Sequence, residues 1–470
     1  MKKTVTTAFL IFLGLLSYGQ TITTDSFYRV MDEIVADGAK EFGMEGVAAA
    51  IILPDHLKYD KNSSSHTSYH GVRDNNIAVD PDKGWHFSST TRMFVSYIIM
   101  KLVEDGKMSL SDTIGKYLDT PNIPNLDGDI TVQELLSHRS GLDEVWSASS
   151  TDLFRDVWDN RDSVWNDNDV LNYLPTKRTN KDFKYTNTNG YILGFVVESV
   201  TKKSLQKVFE EFIFEPFKFK NSFISSDKAF DMSTINGVYS GDENRSQWSH
   251  NSYMSSRGGN SALVAHPDDV ARFLNEFANK DLLTQSSKEI IFTRTPGATR
   301  DQGSSDCSDK ITYYRGLDFT MVEAITNGDT MNFIGHASNG INNSVVFHWL
   351  EGNITVSLVV NDFTKTNESG ALFFRLVCHA QKYQERLSSV ENFNSSNRVS
   401  LYPNPASNVL QVDVINGSII NTIQIFNSEG KIVKADVSNQ IDLSALPVGI
   451  YYALVELSDG SNVYKRFLKQ

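Results

Sequence analysis

Cysteine is nearly absent: two residues in 470. That excludes a disulfide-built scaffold and any cysteine-based zinc cluster. Basic charge is also short. Lys and Arg total 44 against 57 Asp and Glu, a formal charge of −13, so no basic face suited to a nucleic-acid backbone is expected. Beyond the first twenty residues no uncharged apolar stretch reaches the roughly 20 residues that span a bilayer as a helix. The ten histidines show no close pair backed by carboxylates in ligand spacing, so neither a metal nor another cofactor is expected. What is present is 40% hydrophobic and 21% charged residues, which rules out wholesale disorder. The length allows two to four folding units, and enzyme and binding protein stay equally open.

The two ends differ from the middle. Lys2 and Lys3 precede the apolar run Ala8 to Leu16, and Ser17-Tyr18-Gly19 has small-x-small form. This predicts a removable signal peptide over 1–19 and an exported mature protein. Export leaves Cys307 and Cys378 either bridged or as two free thiols. Residues 388–398 read SSVENFNSSNR, a polar linker by composition. From 399 to 470 the pattern has period 2. Val412 and Val414 alternate with polar neighbours, as do Ile423 and Ile425, and turns are expected at Asn427–Gly430 and Asp459-Gly460. This tail carries six acids and five bases, so the acidic surplus belongs to the main domain.

The tail opens with Leu401-Tyr402-Pro403-Asn404-Pro405-Ala406, continues through Leu446-Pro447-Val448-Gly449-Ile450-Tyr451, and ends on Lys465-Arg466-Phe467. In these residues it resembles the C-terminal sorting domain of type IX secretion substrates. The resemblance implies recognition by an outer-membrane export machinery, and release or attachment at the cell surface. The plainer alternative is an accessory carbohydrate- or protein-binding β-module.

Residues 20–387 mix helical and strand patterns. Gly46–Ile52 is a continuous apolar run read as a buried strand, Phe94–Val103 has helical spacing up to Gly106, and Val345–Phe347 and Ile354–Val360 read as strands around Gly352-Asn353. An antiparallel sheet with packed helices follows. Ahead of the helix stands Phe87-Ser88-Ser89-Thr90-Thr91-Arg92. Leu135-Leu136-Ser137-His138-Arg139-Ser140-Gly141-Leu142, then Tyr185-Thr186-Asn187, then Gly258-Gly259 and His266–Leu274, then Gly335-His336-Ala337-Ser338 come later. In this order they resemble the penicillin-binding protein and class C β-lactamase superfamily of serine hydrolases, with its Ser-x-x-Lys, Tyr-x-Asn and third basic-or-His element. The implied fold is α+β, β-lactamase/transpeptidase-like, with an antiparallel sheet flanked by helices and a helical subdomain, followed by the small all-β, sandwich-like C-terminal domain.

The resemblance assigns roles. Ser89 is the nucleophile that forms an acyl-enzyme. Tyr185 shares the proton transfer, and Asn187 takes the place of the asparagine that orients a substrate amide or the lysine. The backbone N–H groups of Ser89 and Asn339 form the oxyanion hole. His336 fits the branches that use His instead of Lys in the third element. Two residues depart from the pattern. Arg92 replaces the lysine, and a guanidinium stays protonated and cannot serve as a base. Tyr185 is then the remaining base for Ser89. Ser338 replaces a glycine, placing a hydroxymethyl group near the nucleophile as an obstruction or a polar contact. Trp146, Trp158 and Trp165 lie between Leu142 and Tyr185, and they line a pocket or fill a helical core.

Two functions compete. One is an exported serine hydrolase cleaving an ester or amide, such as a carboxylester or a D-amino-acid peptide, through acyl-Ser89. The other is a relative impaired by Arg92 and Ser338 that binds a ligand or cell-wall fragment. A true β-lactamase ranks below both, because the lysine and a Lys-Thr-Gly are missing.

Overall fold

The structure is a computed structural model. It describes residues 24–470 apart from 58–64, 74–76, 147–150, 176–179, 227–234, 237–250, 306–307, 327–328, 341, 415–418, 428–430 and 459–461. The expected signal peptide, Cys307 and the tips of both expected tail turns lie outside the described residues. The chain divides into two compact units, Met1–Gln381 and Lys382–Gln470.

The first unit is built on an eight-stranded antiparallel sheet. Its strands run in the order His66–Gly71, Gly46–Ile52, Ile354–Val360, Asn343–Trp349, Asp329–Asn339, Thr320–Thr326, Lys310–Arg315 and Arg300–Gln302. The apolar run Gly46–Ile52 is buried along its whole length, as are Asn343–Trp349 and Ile354–Val360. A strand covered on both faces reads as a continuous apolar run instead of an alternating one. On one face Ala50 and Ile52 pack on Ala271 of helix Pro267–Asn279. Elsewhere helix Thr24–Phe42 meets the first turns of helix Thr366–Arg398. Gly38 lies against Leu372, Phe27 stacks on His379 at 4.5 Å, and Glu41 pairs with Arg375 at 2.7 Å. Cys378 in that helix is disulfide-bonded, so it is not a free thiol.

The helix after Ser89, Thr91–Glu104, is buried on nearly every side, as a helix hydrophobic all round must be. A three-stranded sheet of Trp85–His86, Leu263–Ala265 and Phe223–Ile224 sits at its entrance. The helices Val132–Leu136, Thr151–Asp159, Asp167–Leu171, Asn187–Thr201 and Leu205–Phe209 supply much of the principal core, including Leu135, Leu136, Leu153 and Tyr191, and Trp165 joins it from the segment between two of them. Trp165 is thus a core residue.

The second unit has two antiparallel sheets. One is formed by Val399–Tyr402, Val409–Val414 and Gln440–Asp442, the other by Ile432–Asp436, Ile420–Phe426, Gly449–Leu457 and Asn462–Lys469. Their inward residues, among them Leu410, Val412, Ile423, Ile425, Ala453 and Val455, form its core. This is the alternating pattern of a sheet buried on one face. Residues 388–398, expected as a polar linker, lie in helix Thr366–Arg398. Ser and Asn tolerate a helix that glycine and proline would break, and this stretch contains neither. Among the described residues no helix is long and apolar enough to cross a membrane.

Candidate active site

The site begins with an unfavourable backbone. Ser88 has φ +46°, a left-handed conformation uncommon for a residue with a side chain. The turn Ser88–Thr90 then leads into helix Thr91–Glu104. It delivers Ser89, 6% exposed, to the wall of a cavity of about 120 Å³. Ser88, Trp146, Asn187, Tyr253, Arg257, Asn260, Ser261, Asn339 and Gly340 complete the lining. Among the described residues the Ser89 side chain has no hydrogen-bond partner.

Arg92 lies under this floor, fully buried. Its Nε donates to Asn260 Oδ1 at 2.9 Å, Nη2 to Asn187 Oδ1 at 2.5 Å and also to Asn260 Oδ1, and Nη1 to the Thr186 carbonyl at 3.3 Å. The guanidinium is therefore fixed by neutral acceptors. Its carbon stands 4.5 Å from the centre of the Tyr185 ring, and that of Arg315 stands 4.9 Å from it. Tyr185 is thus held by two cations, and no hydrogen bond joins it to Ser89. Asn187 opens helix Asn187–Thr201, which Thr186 caps through a bond from the Thr188 N–H. That cap aims the Asn187 side chain at Arg92.

His138 organises the network behind Arg92. A capping box at Thr131 and Glu134 starts helix Val132–Leu136, and the chain leaves it through His138 with φ +54°. His138 Nδ1 accepts from Asn189 Nδ2 at 3.0 Å and from the Thr186 N–H at 3.3 Å. The proton therefore sits on Nε2 and points to Asp318 Oδ1 at 2.9 Å. Burial holds the His138 pKa below its ordinary value, against the pull of Asp318, so the ring is a neutral brace. His336 is also fully buried. Burial first, then the charge of Arg315, holds it well below the usual histidine range. Its Nε2 accepts from Arg315 at 3.3 Å, and it does not line the cavity.

Ser338 makes a polar contact and no obstruction. Its hydroxyl donates to the Phe87 carbonyl at 3.1 Å and lies 2.8 Å from Ser344 Oγ, which lies 2.8 Å from Thr90 Oγ1. These hydroxyls tie strands Asp329–Asn339 and Asn343–Trp349 to the turn before Ser89. Beside them Gly340 admits nothing larger: a Cβ there would stand 2.5 Å from Ser88 Oγ.

Of the seven residues singled out from the sequence, Ser89, Asn187 and Asn339 line the cavity. Arg92, Tyr185, His336 and Ser338 are not among the lining residues, although Arg92 bonds two that are, Asn187 and Asn260. Trp146 also lines it, with Nε1 donating to Tyr191 Oη at 2.7 Å. Trp158 instead stacks on Arg161 at 4.1 Å. Tyr253, Arg257, Asn260, Ser261 and Gly340 were not expected from the sequence. The Tyr253/Arg257 spacing of four, which pairs side chains on one helical face, was the one local signal for them.

A model of the beta-lactamase family matches residues 31–378, and a model of the secretion system C-terminal sorting domain matches residues 400–470. Protein flp of Staphylococcus aureus strain MW2 is 23% identical over 209 residues, covering 43% of this chain and 39% of that protein. Beta-lactamase-like protein 2 of Dictyostelium discoideum is 24% identical over 205 residues, covering 43% and 36%. The chain thus spans less than half the length of these curated relatives. Among solved structures, D-amino acid amidase from Ochrobactrum anthropi SV3 superposes with TM-score 0.59 at 18% identity, over 77% of this chain and 99% of its own. The penicillin-binding protein from Bacillus halodurans superposes with TM-score 0.55 at 20% identity, over 72% and 99%.

Proposed function

The chain belongs to the beta-lactamase family, and from that premise we propose that it is an exported serine hydrolase that cleaves an ester or amide through an acyl intermediate on Ser89. The observation that carries this is the unengaged Ser89 side chain, raised by the strained Ser88 into a cavity it shares with Asn187, Asn339 and Gly340. The amidase neighbours favour a carboxylester or a D-amino-acid amide or peptide as substrate.

Ser89 Oγ attacks the scissile carbonyl, and the N–H groups of Ser89 and Asn339 hold the developing oxyanion. The leaving alcohol or amine departs with a proton, and water then cleaves the acyl-serine to the acid and restores Ser89. Arg92 cannot take the serine proton. Tyr185 is the proposed relay: its oxygen takes the serine proton as its own hydroxyl proton passes to the leaving group. Since the two share no hydrogen bond in the free protein, the pair closes only when an acyl group fills the cavity, as catalytic bonds often tighten on binding. The sorting tail directs the protein to type IX export and the cell surface or medium.

One observation favours the second reading, a catalytically silent ligand-binding relative: the fixed, base-incompetent Arg92. The test is intact mass after incubating the full chain with an activated ester, a fluorophosphonate and a penicillin. A single adduct from the ester or the fluorophosphonate, absent in Ser89→Ala, supports the hydrolase. No adduct and no ester turnover leaves the binding reading.

A further inference from the structure

The cavity that holds Ser89 also holds a cation with no partner for two of its donors. Arg257 is 6% exposed. Its guanidinium carbon lies 4.1 Å from the Trp146 ring centre and 4.1 Å from that of Tyr253, and Nη1 donates to Tyr253 Oη at 3.0 Å. The two aromatics hold the plane of the group by cation–π contact. Its Nε and Nη2 are buried without any hydrogen-bond partner.

Dry donors on a charged group are unfavourable, and the cost is recovered when an acceptor arrives. Nε–H and Nη2–H share one edge of the guanidinium. That edge is the fork that takes both oxygens of a carboxylate.

Nothing in the cavity wall competes for the fork. Among the described residues the lining has no Asp or Glu. Glu144, close by in the chain, accepts from the N–H groups of Trp146 at 2.8 Å and Asn187 at 2.7 Å. The uncompensated charge is also felt by buried His86, which burial first and Arg257 second push down to about 3. A positive, acid-free cavity thus sits in a chain of net charge −13.

We propose that Arg257 is an anion-binding arm of the Ser89 site, and that the substrate is an ester or amide carrying a carboxylate close to its scissile carbonyl. This rests on the hydrolase reading above and narrows its substrate class. Ser89 and Arg257 line the same small cavity, so both groups belong to one compact part of the substrate.

The test compares 4-nitrophenyl hydrogen glutarate with 4-nitrophenyl butyrate on the full chain. The expected result is a kcat/KM at least tenfold higher for the anionic ester, with the preference carried in KM. Arg257→Met should cut that preference at least tenfold. Arg257→Lys should keep part of it, because the charge remains and the fork is lost. Arg257→Gln serves if the methionine variant does not fold. A parallel arm titrates sodium glutarate into Ser89→Ala protein by calorimetry, with binding expected and lost when Arg257→Met is added. No anionic preference together with no glutarate binding overturns the proposal, as does a preference that survives the loss of Arg257. If neither ester turns over yet glutarate binds in an Arg257-dependent way, the hydrolase reading fails and the anion site stands.

Discussion

The two units of this chain spend their interiors differently. The first buries Arg92, His138, Asp318 and His336 among its apolar residues, while the described interior of the tail is almost wholly hydrocarbon, with Lys469 its one buried polar residue. Buried charge costs free energy unless it is paired and hydrogen-bonded. The tail meets that cost only at Lys469, whose ammonium donates to the Gln470 carbonyl at 2.9 Å, and its strands follow from alternation. The first unit bears it in the network behind Ser89, where Arg92, His138 and Asp318 are hydrogen-bonded.

The sharpest way to break the contrast is Ser89→Ala, expected to abolish fluorophosphonate labelling, as read by intact mass. Next is Arg92→Met, which strips donors from Asn187, Asn260 and the Thr186 carbonyl and should cost about 3–5 kcal/mol in denaturant unfolding. Arg92→Lys should keep the fold and raise the acylation rate tenfold or more, since an amine can exchange a proton. In the tail, Ile423→Ala should cost about 2–4 kcal/mol, the ordinary loss from a core cavity, with Ser89 labelling unchanged.

Acid should separate the units as well. Burial pushes His86 down to about 3 and His348 to about 4, and also lowers His138 and His336. In the unfolded chain each would protonate near 6.5. The unfolded form therefore binds more protons below that pH. The stability contributed by the neutral rings is complete above about pH 6.5 and falls as pH drops, by roughly 1.4 kcal/mol per histidine per pH unit. Residues 399–470 contain no histidine, so melts recorded from pH 7 to 5 should show no loss of this kind there. The smallest effect is Ser338→Ala, about 1 kcal/mol for one lost hydroxyl contact.

Much of this was legible in the sequence, for definite reasons. The run Gly46–Ile52 and the helix after Ser89 announce themselves because burial on all sides demands uninterrupted apolar residues. The order of Ser89, His138, Tyr185, Asn187 and His336 exposed the fold because the first four sit beside helix ends and His336 lies within a strand of the main sheet. What stayed hidden was contact across the chain. Nothing local says that Arg257 meets Trp146, that His138 donates to Asp318, or that the Ser338 hydroxyl turns toward Phe87 instead of the cavity. The helical conformation of 388–398 was not legible either, since Ser and Asn are common in linkers yet do not forbid a helix.

The meeting of Ser88 and Gly340 has a consequence for evolution at this site. One residue bends the wrong way and the other has no side chain, and they fit like the two halves of a keyed joint. Van der Waals radii at Ser88 and Gly340 thus add a steric limit to the hydroxyl contacts that join the turn before Ser89 to the strand end beside it. Drift can alter the charges around Ser89, as Arg92 illustrates, without loosening the joint. It cannot enlarge residue 340 by a single methyl group unless the turn gives way.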